Sequence, residues 1–398
     1  MIDEHGRAMR PALVFFALAM GGFAIGTAEF ASMSLLPYFS QGLGVDEPTA
    51  GHVISAYAMG VVVGAPLLAI AAARLSRRTL LLLLMTLFAV GNAMSALAPS
   101  FEAMLLFRFL SGLPHGAYFG VAALVAASLV PPERRTFAVS RVMLGLTVAT
   151  VVGVPLTSWI GQALGWRWGF GVVAALAIVT VMLVALHAPR NRPDPSANAL
   201  RELGALKLPQ VWLTLGIGAI GFGGLFAVYT YLASTLMEVT GVSPTLVPLF
   251  LCVFGIGMTA GNLIVPRFAD RALMPTAGVL LLWSAVALAL FPLAAGNPWF
   301  VALDVFLIGI GGALGTVLQT RLMDVAHDAQ SLAAALNHSA FNTANALGPW
   351  LGGLAIANGF GWTSTGGVGC ALSLGGLSIW AVARATSRKE RHGRAATA

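Results

Sequence analysis

Long apolar runs alternate along the chain with short polar segments. A helix needs about 20 apolar residues to cross the hydrocarbon core of a bilayer, which is about 30 Å thick. The runs are at least about this long, and they lack the two-residue alternation of membrane β-strands. The pattern therefore predicts an all-α integral membrane protein with twelve transmembrane helices. The predicted spans are residues 12–37, 50–72, 79–98, 101–130, 138–161, 168–187, 209–236, 244–266, 274–295, 298–320, 331–357 and 364–383.

The basic residues are distributed unequally between the two sides that these spans define. If the N-terminus is placed inside, nearly all of the 22 lysines and arginines fall in inside segments. Arg167 lies in an outside loop, and Arg108 falls within a span. Because cytoplasmic loops of membrane proteins are enriched in Lys and Arg, we expect both termini to be cytoplasmic. We also expect the membrane to be a bacterial inner membrane.

The longest loop, around residues 187–209, is polar and rich in proline, as is typical of a linker. It divides the spans into two sets of six. We therefore predict an N-terminal six-helix bundle at 1–187, a cytoplasmic linker at 188–208, and a C-terminal six-helix bundle with a cytoplasmic tail at 209–398.

The two halves share a pattern of glycines. Gly60 and Gly112 recur as Gly257 and Gly309, in each case 197 residues further along the chain. A shared offset in successive spans predicts two pseudo-symmetric bundles related by an axis along the membrane normal.

The composition agrees with a lipid environment, because 58% of the residues are hydrophobic and only 9% are charged. Soluble domains carry about 25% charged residues. The net charge of +7 comes from basic residues in short loops, so we expect contact with the lipid bilayer and not with nucleic acid.

Several motifs resemble those of a known transporter family. Residues 26–30 read Gly-Thr-Ala-Glu-Phe in the first span, and residues 108–112 read Arg-Phe-Leu-Ser-Gly in the fourth. Glycines and a proline in the fifth span, at 145, 153, 155 and 161, resemble an antiporter motif, and residues 348–353 carry a related pattern. Together they resemble the major facilitator superfamily, in particular its twelve-helix drug:proton antiporter branch and the sugar-efflux and purine-efflux type proteins within it.

This resemblance implies proton-coupled efflux of a small-molecule substrate by alternating access of two rigid halves. It also implies a monomer that uses the proton gradient as its energy source and has no cofactor. Gly153-Val154-Pro155 and Gly348-Pro349 are candidate pivots of the movement, because small residues permit close helix approach and proline permits bending. Tight packing alone is the alternative interpretation.

The loop between the second and third spans departs from the family pattern. Ala73 replaces an aspartate and Ser76 a glycine, whereas the basic residues remain. The second copy of the motif keeps its acid. The gating residues implied by the resemblance are Arg74, Arg77, Arg78, Asp270 and Arg271.

Charged side chains inside a bilayer cost at least about 2.5–3.5 kcal/mol each, and they are therefore usually functional. Glu29 and Arg108 lie at similar depths in the first and fourth spans, so they can pair if these helices adjoin. Burial disfavours a charged carboxylate, whereas a nearby arginine favours it. Our hypothesis is that Glu29 takes up and releases the coupling proton, and the alternative is a permanent Glu29–Arg108 pair.

Two further residues are candidates for proton coupling. His115 lies near the middle of the fourth span, and an imidazole titrates near neutral pH. A neutral histidine bonded to a neighbouring helix is the alternative. Asp304 lies near the outer start of the tenth span, where it is either a proton or cation site or an acid at the membrane boundary.

Polar residues on one helical face indicate a substrate contact. His338, Asn342 and Asn345 share a face of the eleventh span, which should point at a cavity or another helix. Tyr57 and Tyr229 could stack on or hydrogen-bond a substrate, as could His115, although packing is the alternative for each.

The sequence carries no Walker A, His-Glu-x-x-His or Cys-x-x-Cys pattern, so we expect neither an enzyme nor a metal site. Uptake of a nutrient by proton symport is the alternative transport function. A membrane receptor or sensor without transport is the alternative from another class. Sugars, purine-type metabolites and amphipathic drugs all remain open as substrates.

Overall fold

The computed structural model describes residues 10–45, 47–50, 52–71, 75–190, 203–326 and 329–396, and all regular secondary structure in these ranges is helical. Within them, ten helical stretches are long and apolar enough to cross a membrane. Two further helices, His52–Ala71 and Gln330–Ala355, complete a set of twelve. The predicted all-α membrane fold is confirmed.

The first six long helices occupy the N-terminal half. Two short helices, Leu36–Leu43 and Glu47–Ala50, join α1 to α2, and a 3-10 turn at Pro132–Arg134 precedes α5. Helix α5 contains a π-helical turn at Ala149–Gly153. The helices are α1 (Pro11–Ser34), α2 (His52–Ala71), α3 (Arg77–Ala96), α4 (Phe101–Ala127), α5 (Arg135–Val148 continued by Val154–Leu164) and α6 (Trp166–His187).

The C-terminal half repeats this order after a 3-10 turn at Leu203–Lys207. Short segments join its helices at Pro244–Leu246, Pro266–Ala269 and Ile356–Phe360, and a 3-10 turn at Gly311–Ala313 lies within α10. The helices are α7 (Pro209–Gly221 continued by Gly223–Glu238), α8 (Val247–Ile264), α9 (Leu273–Ala294), α10 (Pro298–Ile310 continued by Leu314–Val325), α11 (Gln330–Ala355) and α12 (Ser364–Ala396).

Local sequence explains where several of these helices begin. Ser76 and Ser100 cap α3 and α4 by accepting hydrogen bonds from backbone N–H groups of the first turn, and Asn297 does the same for α10. Gly165 and Gly361 precede α6 and the short approach to α12, with φ values of 102° and 78°. Only glycine adopts this backbone region readily, so each can reverse the chain sharply between two helices.

The contacts divide the chain into two units. Unit 1 comprises residues 1–203 and 328–339, and unit 2 comprises 204–327 and 340–398. Unit 2 therefore differs from the predicted C-terminal bundle, because the first part of α11 clusters with unit 1. Its backbone lies so close to α4 that a Cβ atom on Gly116 or Gly120 would meet Ala335.

In unit 1, α2 packs against α4, α3 against α4 and α6, and α1 against α5 and α6. The crossing of α2 and α4 depends on glycine. A Cβ atom on Gly60 would collide with the backbone carbonyl of Phe109, and one on Gly112 with that of Tyr57. The absence of side chains at these positions lets the two backbones approach closely.

In unit 2, α8 packs against α10, and α12 packs against both α7 and α9. The crossing of α8 and α10 likewise depends on glycine. A Cβ atom on Gly257 would collide with the carbonyl of Phe306, and one on Gly309 with that of Phe254. These four positions correspond to those of the α2–α4 crossing at the 197-residue offset. The glycine repeat thus reflects the same close helix crossing in both halves of the chain.

Candidate functional site

Glu29 lies in the middle of the most enclosed part of α1. Every residue from Ala24 to Ser32 is buried, and the Glu29 side chain is 9% exposed. Its carboxylate lies within electrostatic range of Arg108 on α4 and of Tyr57 on α2. The acid therefore faces other helices of unit 1 and not the lipid.

Arg108 is 1% exposed and is held by neutral groups from two other helices. Its Nη2 atom donates to Ser32 Oγ at 2.8 Å and to the carbonyl of Ala28 at 3.4 Å, and its Nη1 atom donates to Asn92 Oδ1 at 3.3 Å. Asn92 is oriented by its own bond to the carbonyl of Phe88. In the described part of the chain, the hydrogen bonds of Arg108 thus go to these groups and not to Glu29.

Tyr57 contacts both Arg108 and His115, which lies seven residues, or about two turns, further along α4. The guanidinium carbon of Arg108 lies 4.3 Å from the centre of the Tyr57 ring, in a cation–π arrangement. The Tyr57 hydroxyl lies 3.0 Å from His115 Nδ1, within hydrogen-bonding distance. One side chain therefore contacts both polar groups of α4.

The cluster extends from His115 to the part of α11 that belongs to unit 1. The rings of His115 and His338 lie 5.2 Å apart, and Phe119 stacks on His338 at 4.3 Å. Both imidazoles are buried. We call this set the polar cluster of unit 1; its members are Glu29, Ser32, Tyr57, Asn92, Arg108, His115 and His338.

Unit 2 contains an isolated acid. Asp304 on α10 is 4% exposed, and in the described residues neither carboxylate oxygen has a hydrogen-bond partner. Asp304 is therefore buried among the helices of unit 2 and is not an exposed surface acid.

The other predicted polar residues of unit 2 lie on α7 and α11. The ring of Tyr229 packs on Phe254 with 4.6 Å between centres. Asn342 is buried and Asn345 half-buried. Asn342 and Asn345 belong to unit 2, whereas His338 belongs to unit 1, so the predicted polar face of α11 is divided between the units.

The predicted gating residues lie near helix ends. Arg74 falls outside the described residues. Arg77 is the first residue of α3, and Arg78 Nη2 donates to the carbonyl of Ala185 at 2.5 Å. Asp270 ends the short helix Pro266–Ala269, and Arg271 after it is exposed.

The predicted pivots lie at close helix contacts. A Cβ atom on Gly153 would collide with the Thr27 hydroxyl of α1, and Pro155 is the second residue after the π-helical turn. In unit 2, a Cβ atom on Gly348 would collide with the backbone of Gly223, and the Pro349 carbonyl accepts a bond from Tyr231. Gly153 therefore lies at the contact of α5 with α1, and Gly348 at the contact of α11 with α7.

Comparison with known proteins assigns the family. A family profile described as Major Facilitator Superfamily matches residues 18–326 and, in a second match, 215–398. The chain belongs to the major facilitator superfamily.

Relatives of this major facilitator cover most of its length. Inner membrane transport protein YdhP of Escherichia coli (strain K12) is 39% identical over 349 residues, which is 87% of this chain and 90% of YdhP. The chloramphenicol resistance protein of Streptomyces lividans is 35% identical, with 90% and 91% covered. A protein named probable sugar efflux transporter, from Helicobacter pylori, is 30% identical, with 90% and 92% covered.

A solved structure has the same fold. The fucose:proton symporter FucP of E. coli aligns with a TM-score of 0.74 at 14% identity, covering 94% of this chain and 98% of the symporter. The protein is thus a multi-pass membrane transporter with a small-molecule substrate, and it is not an enzyme.

Sequence reasoning missed three residues of the candidate site. Ser32 and Asn92 hold Arg108, and Phe119 stacks on His338. Two of them left a signal, because Ser32 lies three residues after Glu29 and Asn92 is the only carboxamide in α3. A buried bond between Thr316 and Asn262, at 2.5 Å, was likewise not anticipated.

Proposed function

We propose that this transporter exports a small solute in exchange for protons and that Glu29 carries the coupling proton. The observation that supports this most directly is the arrangement of Arg108, whose hydrogen bonds go to neutral groups. Arg108 keeps its position whether Glu29 is charged or protonated. A proton arriving at Glu29 then changes the charge of the site without dismantling it.

The exchange follows from this electrostatic balance. Ionised Glu29 is stabilised by the positive charge of Arg108, and the protonated acid is favoured by burial away from water. A substrate that favours the ionised form lowers the affinity of Glu29 for its proton, and linkage requires the proton to lower the affinity for the substrate by the same factor. Substrate and proton therefore replace one another.

The polar cluster of unit 1 offers the substrate several contacts. Tyr57 and His115 can each exchange their mutual hydrogen bond for one with a solute, and His338 presents a stacking surface beside Phe119. In unit 2, Tyr229, Asn342 and Asn345 are the proposed contacts. These groups suit sugars, purine-type metabolites and amphipathic drugs that are neutral or singly charged.

Export is the direction supported by the relatives. One is named a probable sugar efflux transporter, and efflux removes a solute from the cell; another is named a chloramphenicol resistance protein, which export of the antibiotic would explain. The name of YdhP supports a place in the inner membrane. We propose that the protein acts there as a monomer, with both termini in the cytoplasm and without a cofactor.

The test is proton-driven transport by the Glu29→Gln variant in proteoliposomes. The solute is chosen by screening a panel of antibiotics, sugars and purines with a deletion strain and an overexpressing strain, chloramphenicol included. We expect the variant to lose proton-driven flux at least about 10-fold, because glutamine cannot carry the proton. Exchange of labelled for unlabelled solute should persist, since the amide keeps the shape of the site.

The matched control is Glu102→Gln, which alters an exposed acid in the first turn of α4. It should transport like the wild type. Undiminished proton-driven flux in Glu29→Gln would remove Glu29 from the mechanism. Proton-driven accumulation of the solute by energised cells would contradict export and favour an uptake symporter.

A further inference from the structure

Asp304 has no role in the exchange described for Glu29, yet it is among the most deeply enclosed acids of the described chain. It lies six residues after Pro298, the start of α10, which is about 9 Å along the helix axis. Both of its oxygens are buried and make no hydrogen bond in the described residues. Buried polar atoms nearly always have a hydrogen-bond partner, so a buried carboxylate without one indicates a bound proton or cation or requires another explanation.

The helices packed against this part of α10 supply no positive charge. They are α8, α9 and the second segment of α7. Helix α9 contains no titratable side chain, and α8 contains only Cys252. On α7 the titratable groups are Tyr229, which interacts with Cys252, Tyr231, which is bonded to the Pro349 carbonyl, and Glu238, which is exposed at the helix end.

The basic residue of α10 itself is too distant to compensate Asp304. Arg321 lies 17 residues further along, or about 25 Å at 1.5 Å per residue. Arg321 also bonds to Gln210 and Ser387 at the other end of the unit. Among the described residues, an ionised Asp304 would therefore have neither a nearby counter-charge nor a hydrogen-bond donor, which is highly unfavourable for a buried carboxylate.

Asp304 is not a copy of the first proton site. At the 197-residue offset it corresponds to Phe107, and Arg108 corresponds to Val305. The second half thus has an acid where the first half has a phenylalanine, one residue before the position that corresponds to Arg108. It was not inherited from the repeat.

We propose that Asp304 is a second proton-binding site, in unit 2, which holds a proton in this conformation and releases it when water reaches it. A proton needs only the carboxylate itself, whereas a metal cation takes six or more oxygen ligands. This inference rests on the proposed function, and it implies that one cycle exchanges two protons, one at Glu29 and one at Asp304.

The test counts protons directly and needs no solute. Purified full-length protein in liposomes is moved from alkaline to mildly acidic pH, and a pH-sensitive dye reports the protons taken up per molecule. We expect Asp304→Asn to take up one proton fewer than the wild type. Asp324→Asn, which changes an exposed acid on the same helix, should match the wild type in this pH range.

The Glu29→Gln variant separates this inference from the proposed function. Its loss of one proton should add to that of Asp304→Asn in the double variant. If Asp304→Asn takes up as many protons as the wild type, the second site is disproved whatever Glu29 does. Uptake that is abolished by sodium ions, and restored when choline replaces them, would instead make Asp304 a sodium site.

A measurement on the unaltered protein covers the case in which Asp304→Asn fails to fold. The infrared spectrum of protein labelled with ¹³C-aspartate should show the carbonyl band of a protonated aspartic acid at neutral pH. The band should shift in D₂O. A spectrum in which all aspartates are ionised would overturn the proposal.

Discussion

Tyr57 is the residue through which the two polar groups of α4 are connected. Its ring lies over the guanidinium of Arg108, and its hydroxyl is bonded to His115. The ring therefore makes the contact with Arg108 and the hydroxyl the bond to His115, and a substitution can remove the hydroxyl while keeping the ring.

We expect Tyr57→Phe to keep the cation–π contact and to lose the bond to His115. Loss of one buried hydrogen bond should lower the free energy of unfolding by about 1 kcal/mol and, if the bond orients the site, the transport rate by up to about tenfold. Thermal unfolding in detergent and initial rates in proteoliposomes measure the two effects.

Tyr118→Phe is the matched control for this substitution. Tyr118 is also a buried tyrosine of α4, and its hydroxyl donates to the Leu18 carbonyl at 2.9 Å. Its removal should lower stability by a similar amount and leave transport unchanged. Equal transport losses in the two variants would reduce Tyr57 to a packing residue.

The depth of buried charges was predictable from sequence, and their partners were not. Counting residues along α1 and α4 placed Glu29 and Arg108 at similar levels. Which group Arg108 bonds depends on the rotation of each helix about its axis, and an almost uniformly apolar helix gives little information about that angle. Ser32 and Asn92 therefore emerged only from the structure.

At the scale of helices, the close crossings of α2 with α4 and of α8 with α10 carry much of the architecture. In each, two glycines place one backbone against another. Lipid gives little hydrophobic reason for helices to associate, so packing of this kind has to supply the stability.

A methyl group at such a crossing should therefore be costly. We expect Gly60→Ala and Gly257→Ala each to lower the free energy of unfolding by about 1–3 kcal/mol, because the new Cβ atom meets a fixed carbonyl group. Thermal unfolding monitored by the monodispersity of the detergent-solubilised protein measures this.

Gly171→Ala on α6 and Gly367→Ala on α12 are the controls, since a Cβ atom there meets nothing within 4 Å. They should be neutral or stabilising, as alanine is the better helix former. If all four variants behaved alike, close backbone contact would not explain the repeat.

Helix bounds followed from hydropathy only where the helix stays in the apolar region. Helix α4 was predicted at 101–130 and is Phe101–Ala127. Helix α12 was predicted to end at 383, but it continues to Ala396. Hydropathy reports the solvent of a segment, whereas arginine, lysine and alanine after residue 383 favour a helix in water as well.

For the whole molecule, the two halves of the chain contain the same order of six helices. The pairings of α2 with α4 and of α3 with α6 recur as α8 with α10 and α9 with α12. The glycine offset had predicted this repetition. It could not predict that residues 328–339 cluster with unit 1, because that depends on contacts far apart in the sequence.

The arginine distribution predicts the orientation of the whole chain. We expect a fluorescent protein fused to the C-terminus to fluoresce, as it does in the cytoplasm, and alkaline phosphatase fused at Gly296, between α9 and α10, to be active. Phosphatase fused at Arg271, between α8 and α9, is the control and should be inactive. The reverse pattern, or termini on opposite sides, would contradict the prediction.

The surroundings of Arg108 have a consequence for biosynthesis. Ala28, Ser32, Tyr57 and Asn92 all precede Arg108 in the chain, so the groups that accept its hydrogen bonds, and the Tyr57 ring, are made first. The Phe170 ring on α6, 5.3 Å from the guanidinium carbon, follows later. When α4 leaves the ribosome, the helices that carry the hydrogen-bond acceptors for Arg108 have therefore already been synthesised. We expect this order of synthesis to shorten the time for which the Arg108 side chain lies in lipid without hydrogen-bond partners. Circular permutation that places α4 ahead of α3 would remove this advantage.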